Sequence, residues 1–437
     1  MSPPVGEPVY AGISLRHHRC DAVVIQGGDV RPLPPVAAGP HAIDELLAAV
    51  VRAAPGALEA VTVDISQVLL AAVVQPLPDV PLVMVIRIVP RAASDPALAR
   101  SPAELVERLI ARRFTVAGGH DLLGNELCPL DVTGVVELCR ELQAAAITRV
   151  AIVGAGSQAQ PQHERDVADA VQAALPDARI SAASGFGGQG LVAREATVTL
   201  DCALAALTDR LLRRCERALA RSAPKASLRV ARGDGGYSTP AQVRALPVVA
   251  LGADDALQLR GAAYLKGILD CRILLPRPSG QVAGDVRRGL VVVRSGELAG
   301  IGTELVVPTA VLAPDPGPSP EDGELRRVTD VPVVLTDRDA AELACTGAAV
   351  SQPTSWLDEV AFIRSAPQLE RVRQDAEQRA TAIVMANGAA PGSTYIAEVS
   401  TVAVPYSPSG MVRVRVRVAG APDTEAGRAA IREPVSP

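Results

Sequence analysis

Between residues 131 and 183 the sequence alternates between amphipathic helix and short β-branched run. Asp131–Ala145 reads as a helix, Arg149–Val153 as a strand, Pro161–Leu175 as a helix and Ala178–Ala183 as a strand. That alternation constrains the chain more than any other feature, because parallel strands can be joined only through a long crossover, usually a helix. The second half repeats it: strand Leu228–Ala231, helix Pro240–Ala245, strand Val248–Leu251, helix Asp254–Leu269 and strand Arg272–Leu275. A long helix over about Glu195–Arg221 joins the two halves.

The first 35 residues add tight antiparallel structure: Asp21–Gln26 is β-branched, Gly27-Gly28-Asp29 is a hairpin turn, and Val30–Leu33 returns. A helix over Ala42–Ala53 places Leu46, Leu47, Val50 and Val51 on one face, and Ala60–Ile65 and Leu82–Val89 read as buried strands. Pro102–Arg113 has the spacing of an amphipathic helix, with Leu105, Leu109 and Ile110 on one side. Pro314–Gly323 reads as a proline-rich acidic loop, Glu370–Asn387 as a closing helix, and Tyr395–Val404 with Met411–Val418 as a terminal β-hairpin. Two α/β halves joined by a long helix predict a two-domain, actin-like fold of the ribonuclease H-like kind, with a central cleft and a division near residues 184–195. A chain of 437 residues has the length for it.

Composition excludes several classes of function. Net charge is −5 and aromatic residues make up 2%, so the chain has neither the basic field nor the stacking platforms of a nucleic-acid binder. The core must be built from Ala, Val and Leu. The most apolar runs, Val61–Val74 and Pro81–Pro90, are interrupted by Asp64, Gln67 and Arg87 and are too short or too polar to span a bilayer. Seven cysteines are scattered with no CxxC, which predicts reduced thiols in a cytoplasmic protein.

Several local motifs are candidates for chemistry. Gly154-Ala155-Gly156-Ser157-Gln158-Ala159 follows a strand and has the form of a dinucleotide turn, so NAD(P) binding is one alternative. The next strand ends in Ala183-Ser184, however, with no acidic residue for a ribose. His120-Asp121 after two glycines offers an acid–base or metal-binding pair, or simply a turn. His163-Glu164 sits in the first turn of a helix, where Glu suits the helix dipole. His17-His18-Arg19-Cys20 looks metal-like but lacks further ligands at recognised spacing. Gly233-Asp234-Gly235-Gly236 is a flexible turn suited to close approach of a ligand.

Taken in order, these segments resemble the A-subunit of the hydantoinase/oxoprolinase family. The matching landmarks are Gly118-Gly119-His120-Asp121 through Gly124 with Pro129-Leu130-Asp131, then Pro161-Gln162-His163-Glu164 and Leu200-Asp201-Cys202-Ala203-Leu204. Asp234-Gly235-Gly236 leading to Pro247-Val248, Arg260-Gly261 through Leu265, and the Arg413–Gly420 ending after Val404-Pro405-Tyr406 complete the series. The resemblance implies an actin-like fold with an N-terminal-like domain over residues 1–184 and a second domain with a C-terminal β-hairpin over 185–420; the tail over 421–437 reads as disordered from the sequence itself. It also implies ATP with Mg as the family's cofactor, a small carbonyl or cyclic amide (hydantoin, oxoproline or lactam) as substrate, and a B-type subunit or self-association as partner. On this template His120, Asp121 and Asp234 are the candidate catalytic residues, and Gly12 and Asp21 are what remains of the first phosphate loop.

Elsewhere the sequence departs from the template. The first loop reads Gly12-Ile13-Ser14-Leu15-Arg16-His17-His18-Arg19-Cys20-Asp21, and the second reads Leu275-Pro276-Arg277-Pro278-Ser279-Gly280-Gln281-Val282. The family's Thr-Asn-Ala region is replaced by Val63–Ala71 and its Ser-Gly-Pro turn by Leu251-Gly252-Ala253-Asp254, while Val333–Leu335 runs into Thr336-Asp337-Arg338-Asp339-Ala340 in place of a triple glycine. Phosphate loops need Gly for backbone contact, Thr or Ser as donors and Asp for the metal. These changes imply a lost ATP site and a degenerate or scaffold subunit. An ATP-independent amide or lactam hydrolase is the alternative within the same lineage.

Overall fold

The computed structural model describes residues 7–54, 58–75, 80–90, 103–145, 147–298, 300–315, 331–404, 407 and 409–423. Val9–Leu15 pairs antiparallel with Arg19–Gln26, which folds back through Gly27-Gly28 onto Asp29–Pro32. On its other edge Val9–Leu15 runs parallel to Leu58–Asp64, which in turn pairs with Ser227–Ala231. A second mixed sheet is built the same way. Cys271–Arg277 and Gly280–Arg287 form its opening hairpin, and Val333–Leu335 runs parallel to Cys271–Arg277. The shared plan of opening hairpin plus parallel strand is the actin-like α/β architecture expected from the alternation.

A four-strand parallel sheet, in the order Ile110–Ala117, Val83–Val89, Arg149–Gly154, Arg179–Ala182, is inserted into the first half. Helices Val132–Ala144 and Gln162–Ala174 cover one of its faces, and helix Leu191–Ser222 packs against Arg149–Gly154. The C-terminal sheet places Met411–Ala419 between Thr354–Phe362 and Tyr395–Ala403, backed by helix Ala366–Ala386. The terminal hairpin is therefore present, but as two strands of a three-strand sheet.

Packing follows the apolar pattern. Helix Ala42–Ala53 buries Leu46, Leu47 and Val50 in the largest core, which is centred on Leu191–Ser222 and the Val9–Leu15 strand. Helices Ala253–Lys266 and Ala340–Ala349 cross almost backbone to backbone. A Cβ at Gly261 would sit 2.0 Å from Leu343 O, and one at Gly347 2.0 Å from Leu257 O, so small residues set their separation.

Two expectations fail. Only Glu104–Glu107 of the expected Pro102–Arg113 helix is helical; Ile110–Ala117 is an edge strand running parallel to Val83–Val89. The apolar spacing fits either form, and the ladder to Val83–Val89 decides it. Val248–Leu251 is also not a strand: Pro247–Ala250 forms a 3₁₀ turn that begins at a proline. The Pro314–Gly323 loop falls almost entirely outside the described residues, apart from Pro314 and Asp315 at a strand end, and so does the tail beyond Asp423.

Candidate functional site

The two hairpin turns that the resemblance equates with phosphate loops face a buried acidic group. Arg16 opens the first turn, donating its N–H to Arg19 O, while His17 and His18 stand exposed with their rings edge to face. The Arg16 guanidinium turns inward and donates to Asp254 Oδ1 at 2.5 Å. Asp254 also accepts from Gln258 Nε2 at 2.7 Å, and its N–H donates to Ser66 Oγ. Asp64, fully buried at the end of its strand, accepts from Ser66 N at 2.9 Å and Ser14 Oγ at 3.3 Å. Burial pushes both carboxyls above the ordinary range, Asp254 to about 7; their mutual repulsion adds to this at Asp254, and Arg16 opposes it at both. At the second turn Arg277 donates to Asp255 Oδ1 at 2.6 Å and to Gln258 Oε1 at 2.9 Å.

Gly12 lies mid-strand beneath helix Ala340–Ala349, where a Cβ would meet Cys345 O at 1.8 Å. Its missing side chain admits a helix. Asp21 accepts from Arg19 Nε at 3.1 Å, and Arg19 also reaches Asp339. Burial raises the Asp21 carboxyl, with Arg19 working against it.

The Gly118–Glu126 segment is a tightly bonded loop beside the parallel sheet. His163 Nδ1 accepts from Gly119 N–H at 2.9 Å, which puts the ring proton on Nε2, 3.1 Å from Glu126 Oε1. The buried His120 ring lies 4.3 Å from that of His163, and burial, then His163, lowers its pKa. Asp121 folds back on its own loop, accepting from Leu123 N, Asn125 N and Asn125 Nδ2. Slight burial opposes its ionisation, and these donors outweigh that, holding the carboxyl below the usual range.

The glycine turn at 154–159 is filled from within. Glu164, fully buried, accepts from Gly154 N, Ser157 Oγ and Ser184 N at 2.5–2.6 Å and faces the equally buried Arg194. Arg194 in turn donates to Ser157 Oγ and Gly154 O. A Cβ at Gly156, where φ is +65°, would lie 2.0 Å from His120 O. The backbone approach a dinucleotide would use is taken by the 118–126 loop.

Asp234 is buried in the Arg232–Gly236 turn. It accepts from Gly236 N at 3.1 Å and Arg232 Nε at 3.3 Å, and Arg417 donates to its carbonyl at 2.6 Å. Burial opposes its ionisation, but Arg232 and Arg417 prevail and lower its pKa. The turn borders a cavity of about 600 Å³ lined by Arg232, Ser238, Ser184, Phe186 and Trp356 among others. His120 and Asp121 share a loop, whereas no hydrogen bond or ion pair links Asp234 to either among the described residues.

Sequence reasoning missed the buried ion network that joins the long helix to the parallel sheet. Glu195 is paired with Arg87 and also with Arg113 at 2.7 Å. Its one signal was an arginine inside the apolar run Val83–Val89. The cysteines are all unpaired, as their scatter predicts. Among the described residues no group of three or more His, Cys, Asp or Glu is placed to hold a metal, and no helix is long and apolar enough to cross a membrane.

Residues 96–175 match the family described as the hydantoinase/oxoprolinase N-terminal region. The whole chain superposes on a nucleotide-free acetone carboxylase from a study of ATP-dependent acetone carboxylation. The TM-score is 0.68 at 12% identity, over 96% of this chain and 88% of that one. The ATP-dependent caprolactamase from Pseudomonas jessenii gives 0.71 at 13% identity, over 94% and 87%. No curated protein matches the sequence. Residues 96–175 thus resemble the hydantoinase/oxoprolinase N-terminal region in sequence, and over nearly its whole length the chain shares the fold of these two structures.

Proposed function

We propose that this chain is an A-subunit-like protein of the cyclic-amide hydrolase lineage in which the ATP site is lost, serving as a scaffold or regulatory subunit. One observation carries the reading: the two hairpin turns are closed by internal ion pairs, Arg16 to Asp254 and Arg277 to Asp255. A phosphate needs free backbone N–H groups, and its metal needs free carboxylates. Here a guanidinium from each turn already takes a carboxylate of helix Ala253–Lys266, and His17 and His18 stand where glycine and threonine belong. Mg·ATP does not fit this arrangement.

The reading includes a partner, either a B-type subunit or a second copy, working on a small carbonyl or cyclic amide. Titration of Mg·ATP while following thermal melting is the test. A family-like site would stabilise the fold by about 3 kcal/mol at a hundredfold excess over Kd. We expect no shift. A rise of several degrees that vanishes in Asp21→Ala would overturn the proposal, and a monomer by light scattering with no co-purifying chain would remove its scaffold part.

A further inference from the structure

Six arginines of the described chain are buried, and five have oxygen partners. Arg87 meets Glu195, Arg194 meets Glu164, and Arg232 meets Asp234. Arg260 donates to the carbonyls of Val350 and Gly289, and Arg417 to those of Asp234 and Val291. Arg229 is the exception. It is 7% exposed, on the Ser227–Ala231 strand, and its one contact of this kind is the face of the Tyr237 ring at 4.6 Å. It makes no hydrogen bond or ion pair among the described residues. No Arg229 nitrogen is among the enclosed unpartnered atoms, so its N–H donors are not sealed in the core and stand free for an oxygen ligand beside the cavity it lines.

Arg229 borders a cavity of about 550 Å³ whose other walls include Glu7, Tyr10, Ile25, Tyr264 and Val350. Glu7 has the complementary defect, since its Oε2 is buried with no hydrogen-bond partner. Gln26 Nε2 donates to Glu7 O and holds that backbone in place. The carboxylate reaches across the Gly27 turn, where a Cβ would come within 2.0 Å of Oε2. Glu7 and Arg229 do not pair with each other, so one cavity carries an unmatched cation and an unmatched anion beside apolar residues such as Ile25 and Val350. It lies at the Val9–Gln26 end of the opening hairpin, opposite the Arg16 turn and away from the acidic group described above.

We propose that this cavity binds a free α-amino acid with an aliphatic or aromatic side chain. The carboxylate sits on Arg229, the ammonium on Glu7, and the side chain lies against Ile25, Tyr264 and Val350. A planar guanidinium holds a carboxylate through paired N–H donors, and an apolar pocket with two fixed charges selects a compact zwitterion over either half alone.

The test is calorimetric titration of the full chain with L-leucine, L-phenylalanine and two truncated probes, 4-methylpentanoate (no ammonium) and isoamylamine (no carboxylate). We expect the amino acids to bind, each truncated probe to bind at least about tenfold more weakly, and Arg229→Gln to abolish binding. Glu7→Gln should weaken leucine to the level of 4-methylpentanoate while leaving that probe unchanged. Should Arg229→Gln not fold, because it also loses its contact with Tyr237, Glu7→Gln and the truncated probes still decide. Absence of amino-acid binding by the parent chain, equal binding of leucine and 4-methylpentanoate, or indifference of leucine to Glu7→Gln would each overturn the proposal.

Discussion

The parallel-sheet region and the two opening hairpins have met opposite fates. In the first the landmark residues of the resemblance are present, and three of them are taken up by internal structure. His163 receives the Gly119 N–H, Asp121 knits its own loop, and Glu164 fills the glycine turn. The hairpins lack the residues that the resemblance leads one to expect, and there Arg16 and Arg277 pair with acidic residues of helix Ala253–Lys266. Retention of a motif is therefore weak evidence of chemistry here, because these polar side chains satisfy buried backbone groups that the fold cannot leave unpaired. Replacement is the more informative signal. An arginine can itself hold a phosphate, but at Arg16 and Arg277 the guanidinium is already paired with a carboxylate of the fold.

If the retained landmarks are structural, breaking the most deeply buried of them should be the most damaging change in the molecule. Glu164→Ala would strand Arg194 and leave the Gly154 and Ser184 N–H groups without an acceptor, at a cost of about 3–5 kcal/mol. Chemical denaturation followed by circular dichroism measures this, and a loss below about 1 kcal/mol would mean the network is dispensable. The hairpin side is probed by Arg16→Met. Arg16 favours the ionised forms of Asp64 and Asp254, whose carboxyls burial has already raised. Without it those pKa values rise further, so the destabilisation should be small near pH 5 and grow toward pH 8, reaching about 1–3 kcal/mol. A pH-independent loss would show that Arg16 contributes packing and not charge.

The difference between the regions was only partly legible in the sequence. Helices Ala42–Ala53 and Pro240–Ala245 and strand Val333–Leu335 fall on their expected bounds, because apolar period or proline placement marks each one locally. Helix Ala340–Ala349 carries little local signal, since AAELACTGAA has almost no polar face; its small residues serve close packing on Ala253–Lys266, which only the tertiary structure reveals. The Ile110–Ala117 strand was mistaken for helix for the same kind of reason, its form being set by a neighbouring strand. Of the site, the altered hairpin turns could be read directly. What could not be read was that Glu195 answers Arg87 across 108 positions, or that Arg229 lacks an answer.

A third variant places the long helix in the comparison. Asp201 is buried under the parallel sheet, accepting from Ser181 Oγ at 2.8 Å and Arg179 at 3.3 Å, and burial raises its carboxyl to about 6 despite them. The folded state therefore holds a proton that the unfolded chain has already lost between about pH 4 and pH 6. Stability should fall as pH rises through that window, by at most about 1.4 kcal/mol per pH unit from this one group, and stay level above it. Asp201→Asn should remove that part of the slope. An unchanged pH profile would mean that Asp201 ionises normally and that Arg179 is its full partner.

The smallest expected effect is at Asp121, and it decides between hydrogen bonding and charge in the best-preserved loop. Both oxygens accept within the loop, from two backbone N–H groups and the Asn125 amide, and the site borders solvent. An Asp-capped turn of this kind is worth about 0.5–1 kcal/mol. Asp121→Ala should cost that amount and release the Leu123 and Asn125 amides to faster hydrogen exchange. Because its pKa is lowered in the folded state, the contribution should be complete above the unfolded pKa and disappear as the pH falls through the folded one. Asp121→Asn keeps an acceptor at Oδ1, where both backbone amides bond, so it should keep most of the protection. If the asparagine variant instead behaved like alanine in every stability measurement, the charge itself would be what the loop retains. The view that its landmark residues survive as hydrogen-bond acceptors would then fail at the position where it is easiest to test.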